Sequence, residues 1–316
     1  LENGKIDFNQ VEGLADLIDA ETETQRKQAQ RILNGELGIV ADKWKRSLIK
    51  AAGLLEATID FSEEETPNDV TDQVIEIIEN ICLELTKQKD GFGISERIRE
   101  GFEVAIVGKA NVGKSTLLNK LSGRQAAITS EKAGTTRDVI EVRMDLKGIP
   151  VIFLDTAGIR TTSDKVEKTG VNLALNRAEK SDLMVVLTVD GTIPEKLKTR
   201  KKDLIVYSKG DLTGKKGAIS SVTGLGLEKL MDQIYLLLLD KEKSAALITR
   251  ARHRAAISTA LDSLDSAKCN LLNKKKGYEF ISEDINCAIR NLDSLIGRID
   301  IESVLEDVFS NFCIGK

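Results

Sequence analysis

The sequence predicts an α/β domain with a mostly parallel sheet inserted into an all-α helical bundle, and three observations carry that expectation. Apolar residues recur three or four apart through both ends of the chain, the spacing of helices with one buried stripe. At Gly101 the texture changes to short β-rich runs separated by glycine turns, and after Lys241 it changes back. With 3 Pro in 316 residues, long uninterrupted helices meet few breakers. The expected divisions are 1–100 and 241–316 for the two parts of the helical domain and 101–240 for the α/β domain.

From Asp7 to Asn34 the pattern is helical: Asp7 and Gln10 have the spacing of a capping box, and Gly35 is placed to end the helix. Leu37, Val40, Trp44, Leu48, Ala51, Leu55 and Ile59 form one stripe of a second helix, with Trp44 expected in the core. A third starts near Pro67 and runs through Val70, Val74, Ile77, Ile81 and Leu85. Phe102 to Val107 reads as a strand, followed by a glycine loop and a helix from Gly113 to Leu121. Further strands are expected at Val139 to Leu146, Val151 to Leu154, Leu183 to Val189, Leu204 to Tyr207 and Gly217 to Ser220. Gly148 suggests a hairpin, so that the sheet is parallel except at one edge. Between Asp190 and Leu204 the chain is short and basic, a loop or a truncated helix. A helix from Leu227 to Leu239 closes the domain. Helices are then expected at Ile248 to Lys275, at Glu283 to Ile296 after a Ser282 cap, and at Ile301 to Ser310. Packing the two flanks as one bundle satisfies their apolar stripes most economically; two separate helical units are the alternative.

Composition narrows the function classes. No apolar run approaches the ~20 residues needed to cross a bilayer, and the opening LENGKIDFNQ lacks the pattern of a secretory leader, so a cytoplasmic location with no membrane association is expected. Cys82, Cys269, Cys287 and Cys313 contain no CxxC pair, and His253 is the single histidine, which argues for reduced thiols and against structural zinc. A net charge of −4 means that any nucleic acid is met by a local patch or through a partner protein. The run Arg250, Arg252, His253, Arg254 reads as a solvated helix face.

The segment Gly108-Lys-Ala-Asn111-Val112-Gly113-Lys114-Ser115, followed by Thr116, fits GxxxxGK[ST] between a predicted strand and a helix, the context that this phosphate-binding loop requires. Its fixed positions arise by chance in roughly one chain in a hundred of this length. Backbone N–H groups of such a loop bind phosphate oxygens, its Lys reaches the terminal phosphates and its Ser binds Mg²⁺. Asp155-Thr-Ala-Gly158 follows a strand, where Asp155 holds Mg²⁺ through water and Gly158 meets the γ-phosphate. Thr135 and Thr136 lie between, as the switch threonine for Mg²⁺ does, and Thr136 is taken as that ligand. Ser208-Lys209-Gly210-Asp211 follows another strand; Asp211 accepts both the N1 and N2 hydrogens of guanine, a donor pair that adenine lacks. Ser220 and Ser221 correspond to the last guanine-contacting loop. Together these make the inserted unit an α/β P-loop GTPase domain binding GTP and Mg²⁺. Asn is usual at Ser208 and Ala at Ser221, and Ser208 makes only part of the Asn bond set.

With Gly134-Thr-Thr-Arg-Asp138, Asp155-Thr-Ala-Gly-Ile-Arg160, the opening run Val11 to Ala20 and the terminal Cys313-Ile-Gly-Lys316, nearly the whole chain resembles the MnmE (TrmE) family of tRNA-modification GTPases. The resemblance implies a role, with an MnmG-type flavoprotein, in adding a carboxymethylaminomethyl-type group at carbon 5 of the tRNA wobble uridine. It also implies a further N-terminal domain, absent from this sequence, that binds a folate derivative and drives homodimerisation. Ile159 follows DxxG and cannot orient water, so by resemblance Glu167 polarises the attacking water, and Cys313 faces the cavity where the target base enters. The chain also lacks an assured arginine finger, and in the family K⁺ takes that place. Here its ligands are Asn111 and backbone carbonyls of the switch loop, Ile128, Thr129 and Ala133 among them, with GTP-dependent pairing of two G domains. The alternatives are a ribosome-assembly GTPase and a nucleotide-switched interaction protein.

Overall fold

The computed structural model describes residues 6–60, 70–123, 141–155, 176–194, 197–273 and 277–296. Two compact units emerge: residues 1–19, 27–96 and 245–316 in one, residues 20–26 and 97–244 in the other.

The first unit is helical. Helix α1 (Phe8–Ile18) opens with the expected capping box, in which the Asp7 side chain accepts from the Gln10 N–H and Gln10 reaches back to the Asp7 N–H. The single helix expected up to Asn34 is instead two, because Thr22 and Gln25 form a second capping box that starts α2 (Glu23–Leu33). Gly35 ends α2 in a left-handed conformation, φ +77°.

Helix α3 (Glu36–Asp60) buries Leu37, Ala41, Trp44, Leu48, Ala51 and Leu55, spaced four and three in alternation. That seam is the heptad pattern of long packed helices; it buries Ala41 fully, while the partly buried Val40 packs against the same core. Trp44 is 1% exposed and donates its indole N–H to Glu84 Oε2 at 2.6 Å, so its one polar atom is satisfied. Helix α4 (Thr71–Glu100) continues the rule with Val74, Ile78, Ile81, Leu85 and Phe92, which makes Ile78, not Ile77, the fully buried residue. Pro67 lies outside the described residues.

In the sheet-bearing unit, described below, helix α5 (Lys114–Ser122) and helices α6 (Gly210–Thr213) and α7 (Leu227–Glu242) follow in sequence. The C-terminal flank contributes α8 (Ala251–Asn273) and α9 (Tyr278–Leu295) to the helical unit. Their seams, Ile257, Ala260, Leu264, Ala267 and Leu271 with Ile281, Ile285, Ala288, Leu292 and Leu295, join the same core as α3 and α4. The flanks therefore form one bundle. The expected Ser282 cap is a buried residue within α9, whose cap is Gly277, because the stripe begins a turn earlier at Ile281. The expected helix Ile301 to Ser310 lies outside the described residues.

In the basic run Arg254 is exposed as expected, but Arg250, Arg252 and His253 do not form a solvated face. His253 is 1% exposed, and because Asn9 Nδ2 donates to the Leu295 carbonyl, Asn9 Oδ1 is left to accept from His253 Nε2 at 2.9 Å. Arg252 reaches the same Asn9 oxygen and Glu12, and Arg250 reaches Asp16, each at 2.7 Å. Burial, then the Arg252 and Arg250 charges, lower the His253 pKa well below its usual value. The unfolded chain takes up a proton near pH 6.5 that the folded chain refuses. Stability is thus complete above pH 6.5 and falls as pH drops below it, by at most about 1.4 kcal/mol per pH unit. Thermal midpoints from pH 8 to 5 should show this fall, and His253→Gln should flatten it; an unchanged slope in the variant would remove His253 as the cause.

The second unit holds β1 (Phe102–Gly108), β2 (Glu141–Leu146), β3 (Ile149–Asp155), β4 (Leu183–Thr188) and β5 (Leu204–Tyr207) in the order β2-β3-β1-β4-β5. Only the β2–β3 pair is antiparallel, joined by a tight turn in which Lys147 and Gly148 take φ +53° and +94°. Burial of all seven β3 residues and all six β4 residues is that of strands covered on both faces. The chain from Gly217 to Ser220 is not a regular strand, although Ile219 donates its N–H to the Tyr207 carbonyl. The described residues of the basic stretch, 191–194 and 197–203, contain no helix, which favours the loop.

Candidate nucleotide site

Strand β1 is central, and its neighbours β3 and β4 lie on opposite sides. Chain order reverses there, and ligands of open α/β sheets bind at the carboxyl ends of strands at such a switch point. The glycine loop leaves β1 at that place. Its backbone is built for close approach: Asn111 and Gly113 take φ +61° and +101°, and α5 starts at Lys114 with its N-terminal N–H groups free of any side-chain cap. Gly108 takes φ +153°, and a Cβ there would collide with the Leu187 carbonyl oxygen on β4 and stand 3.0 Å from Val112 Cγ2. Only glycine lets β1 turn against β4 at this position.

Three of the expected residues converge. Lys114, 8% exposed, donates from Nζ to the carbonyls of Gly108 and Lys109, both at 2.9 Å. Burial lowers its pKa, and the Asp155 carboxylate works against that shift. Ser115 Oγ lies 3.3 Å from Asp155 Oδ2, and Asp155 is itself buried at the end of β3. A hydroxyl and a carboxylate oxygen side by side below a phosphate-binding loop are hard oxygen donors of the kind Mg²⁺ takes, so the residues fit that ion. Asn111, Ser115 and Thr116 are exposed, and Val112 is buried under the loop.

A second group follows β5. Lys209 takes the left-handed φ +56° and starts the short helix α6, leaving Asp211 exposed. Gly210 donates to the Ile219 carbonyl at 2.9 Å, which ties this loop to Ser220 and Ser221. A Cβ on Gly210 would stand 3.0 Å from the Ala218 carbonyl, so a side chain there would press the two loops a few tenths of an ångström apart. Ser220 is fully buried; its N–H donates to the Leu225 carbonyl and its Oγ accepts from the Thr223 N–H.

The two groups meet on consecutive residues of β4. Leu187 abuts Gly108, while the Thr188 carbonyl accepts from the Ser208 N–H at 2.8 Å and from Ser208 Oγ at 3.3 Å. Ser208 thus anchors its loop to β4. Thr188 is a positioning residue that sequence reasoning missed; its Oγ1 also accepts from the Gly191 N–H at 2.9 Å, and the Asp190-Gly191 turn after an apolar run was the available signal. Thr135, Thr136, Gly158, Glu167, Ile128, Thr129, Ala133 and Cys313 lie outside the described residues.

A family model described as the MnmE helical domain matches residues 8–313. The tRNA modification GTPase MnmE of Cereibacter sphaeroides is 52% identical over 318 residues, covering 100% of this chain and 74% of that protein. The tRNA modification GTPase MnmE of a Ruegeria species is 52% identical over 317 residues, with the same coverage of each chain. Among solved structures, Era of Aquifex aeolicus bound to GDP.AlF4- is 26% identical over 51% of this chain and 66% of its own, at a TM-score of 0.35.

Proposed function

The chain belongs to the MnmE family of tRNA modification GTPases, and from that premise we propose that it hydrolyses GTP at the Gly108–Ser115 loop to drive modification of the tRNA wobble uridine. The observation that carries the reading is the convergence of Lys114, Ser115 and Asp155 beneath a loop held open by left-handed backbone. The N–H groups of Asn111 to Thr116 cradle the phosphates. Lys114 exchanges its two neutral carbonyl acceptors for charged phosphate oxygens, which bind it more strongly. Asp211 and Lys209 hold guanine, with Ser220 and Ser221 behind it. Ser115, Thr136 and, through water, Asp155 hold Mg²⁺, which supplies charge neutralisation on the phosphate oxygens when bound.

Hydrolysis places water in line with the γ-phosphorus; the bond to the β,γ-bridging oxygen breaks, and GDP and phosphate leave. Glu167 polarises that water, and Gly158 meets the γ-phosphate. The reading extends to an MnmG-type flavoprotein partner, a folate derivative bound outside this sequence, homodimerisation, and a cytoplasmic location. Among the described residues no helix is long and apolar enough to cross a membrane. The domain boundaries proposed are 1–100 and 241–316 around a G domain at 101–240, and Cys313 acts at the base being modified.

Glu167→Ala should keep GTP binding but lower turnover by about a hundredfold or more, the scale of a general base. Ser115→Ala should also lose the Mg²⁺ dependence of binding. Equal turnover in wild type and Glu167→Ala would remove Glu167 from the mechanism. For the biological role, cells lacking the protein should accumulate tRNA with an unmodified wobble uridine; fully modified tRNA in those cells would refute it.

A further inference from the structure

Strand β5 is an edge of the sheet, and the chain around it carries a charge opposite to that of the whole. Residues 197–216 hold seven Lys or Arg and two Asp, in a protein of net charge −4. One of those acids, Asp203, is neutralised by Arg200, which grips it through Nε and Nη2. Lys198, Lys201 and Lys202 at the start of β5, Lys215 and Lys216 beyond its end, and Lys229 on α7 are exposed. Beside the strand lies a cavity of about 540 Å³, floored by Tyr207, Ile219 and Leu230 and rimmed by Lys215, Lys216 and Lys229. The Lys215 ammonium stands 3.3 Å from the Tyr207 ring centroid. The exposed Ile205, Val222 and Leu225 extend the apolar surface.

From this juxtaposition we infer that the β5 edge is an RNA-binding surface, in which the cavity receives an unstacked base and the surrounding lysines hold the flanking phosphates. Aromatic and apolar floors with cationic rims are how single-stranded RNA is gripped. The volume falls in the ~300–1,000 Å³ range of small-ligand clefts. The β5 residues span about 13 Å, so the basic groups at its two ends reach phosphates on either side of one seated base. Lysines beside an edge strand also discourage pairing with another sheet, but that role predicts no effect on RNA affinity, and the variants below separate the two explanations. The inference rests on the tRNA reading for the source of the RNA. Of the basic residues counted, Lys209 belongs to the nucleotide site; the exposed Lys198, Lys201, Lys202, Lys215, Lys216 and Lys229 do not.

The test uses an unmodified tRNA transcript and the triple variant Lys201→Glu, Lys216→Glu, Lys229→Glu. Its affinity for the transcript should fall by on the order of tenfold or more, and the slope of log affinity against log salt should shrink by about 2 to 3, as expected for three lost phosphate contacts. GTP turnover should stay at the wild-type value. A glutamine triple variant at the same positions should lie between, and it replaces the glutamate variant should that one fail to fold. A 4-thiouridine-substituted transcript should crosslink to Tyr207 or Leu225. Unchanged affinity and salt slope in the variants, or crosslinks confined to other surfaces, would overturn the RNA surface while leaving GTP hydrolysis and wobble modification standing. Failure of those two functions is read from turnover and from cellular tRNA instead.

Discussion

Asp211→Asn should exchange the nucleotide preference of the proposed site from GTP to XTP. In the proposed site guanine would present the N1 and N2 hydrogens to the Asp211 carboxylate, and each such charge-assisted bond is worth about 1.5–3 kcal/mol. An asparagine keeps one acceptor and turns the other into a donor aimed at a donor. GTP affinity should therefore fall by about 10²- to 10⁴-fold. Xanthine carries a carbonyl where guanine has its amino group, so the same asparagine accepts from N1–H and donates to that oxygen. The exposed carboxylate sits on a loop pinned by the Gly210 bond to Ile219, so the exchange leaves the fold intact. Competition binding with GTP and XTP reads the result. Unchanged GTP affinity in the variant would displace the base site from this loop.

Potassium should accelerate GTP turnover by up to ~10³-fold over sodium, the low end of what an arginine finger supplies. The chain carries Ile159 where Ras-like proteins place their water-orienting Gln. Charge that builds on the bridging phosphate oxygens needs a cationic partner. Asn111 is exposed on the loop at φ +61°, with an amide oxygen of the type that binds a hard monovalent ion, so the residue fits the role. On the proposed reading K⁺ would supply positive charge beside the phosphates, and this chain would contribute the Asn111 amide together with Ile128, Thr129 and Ala133, which lie outside the described residues. Asn111→Ala should abolish the difference between the two ions. Asn111→Gly should do the same, and because glycine adopts the left-handed conformation without strain, that variant isolates the amide from the backbone. Light scattering should show paired G domains only with a transition-state mimic in K⁺. Equal turnover in both ions, independent of protein concentration, would contradict the mechanism.

The phosphate loop was legible because its chemistry acts through the backbone: glycines and a lysine at fixed spacing are what close approach to phosphate demands. The helical seams were legible because period is read locally: Val40 and Ile77 do pack against the core, although local reading passed over Ala41 and Ile78, which the heptad buries more completely. The break after α1 was written in Thr22 and Gln25 and was hidden by periodicity that runs across it. Gly217 to Ser220 looked like a strand because Ala218 and Ile219 are apolar and buried, but it pairs with β5 through a single bond beside left-handed glycines. Arg250, Arg252 and His253 were misread because their partners, Asn9, Glu12 and Asp16, lie more than 230 residues away. Ser208 as a β4 anchor could not be seen either, since its acceptor is a backbone carbonyl that only the fold brings near.

The central claim, that this loop is a turnover site for GTP, is tested most directly by steady-state hydrolysis with the purified chain in Mg²⁺ and K⁺. Many GTP molecules should be consumed per protein molecule while ATP is left alone, and Lys114→Ala should remove the activity with the helical unit still folded. Loss of no more than one GTP per chain, or ATP hydrolysed as fast as GTP, would contradict the account.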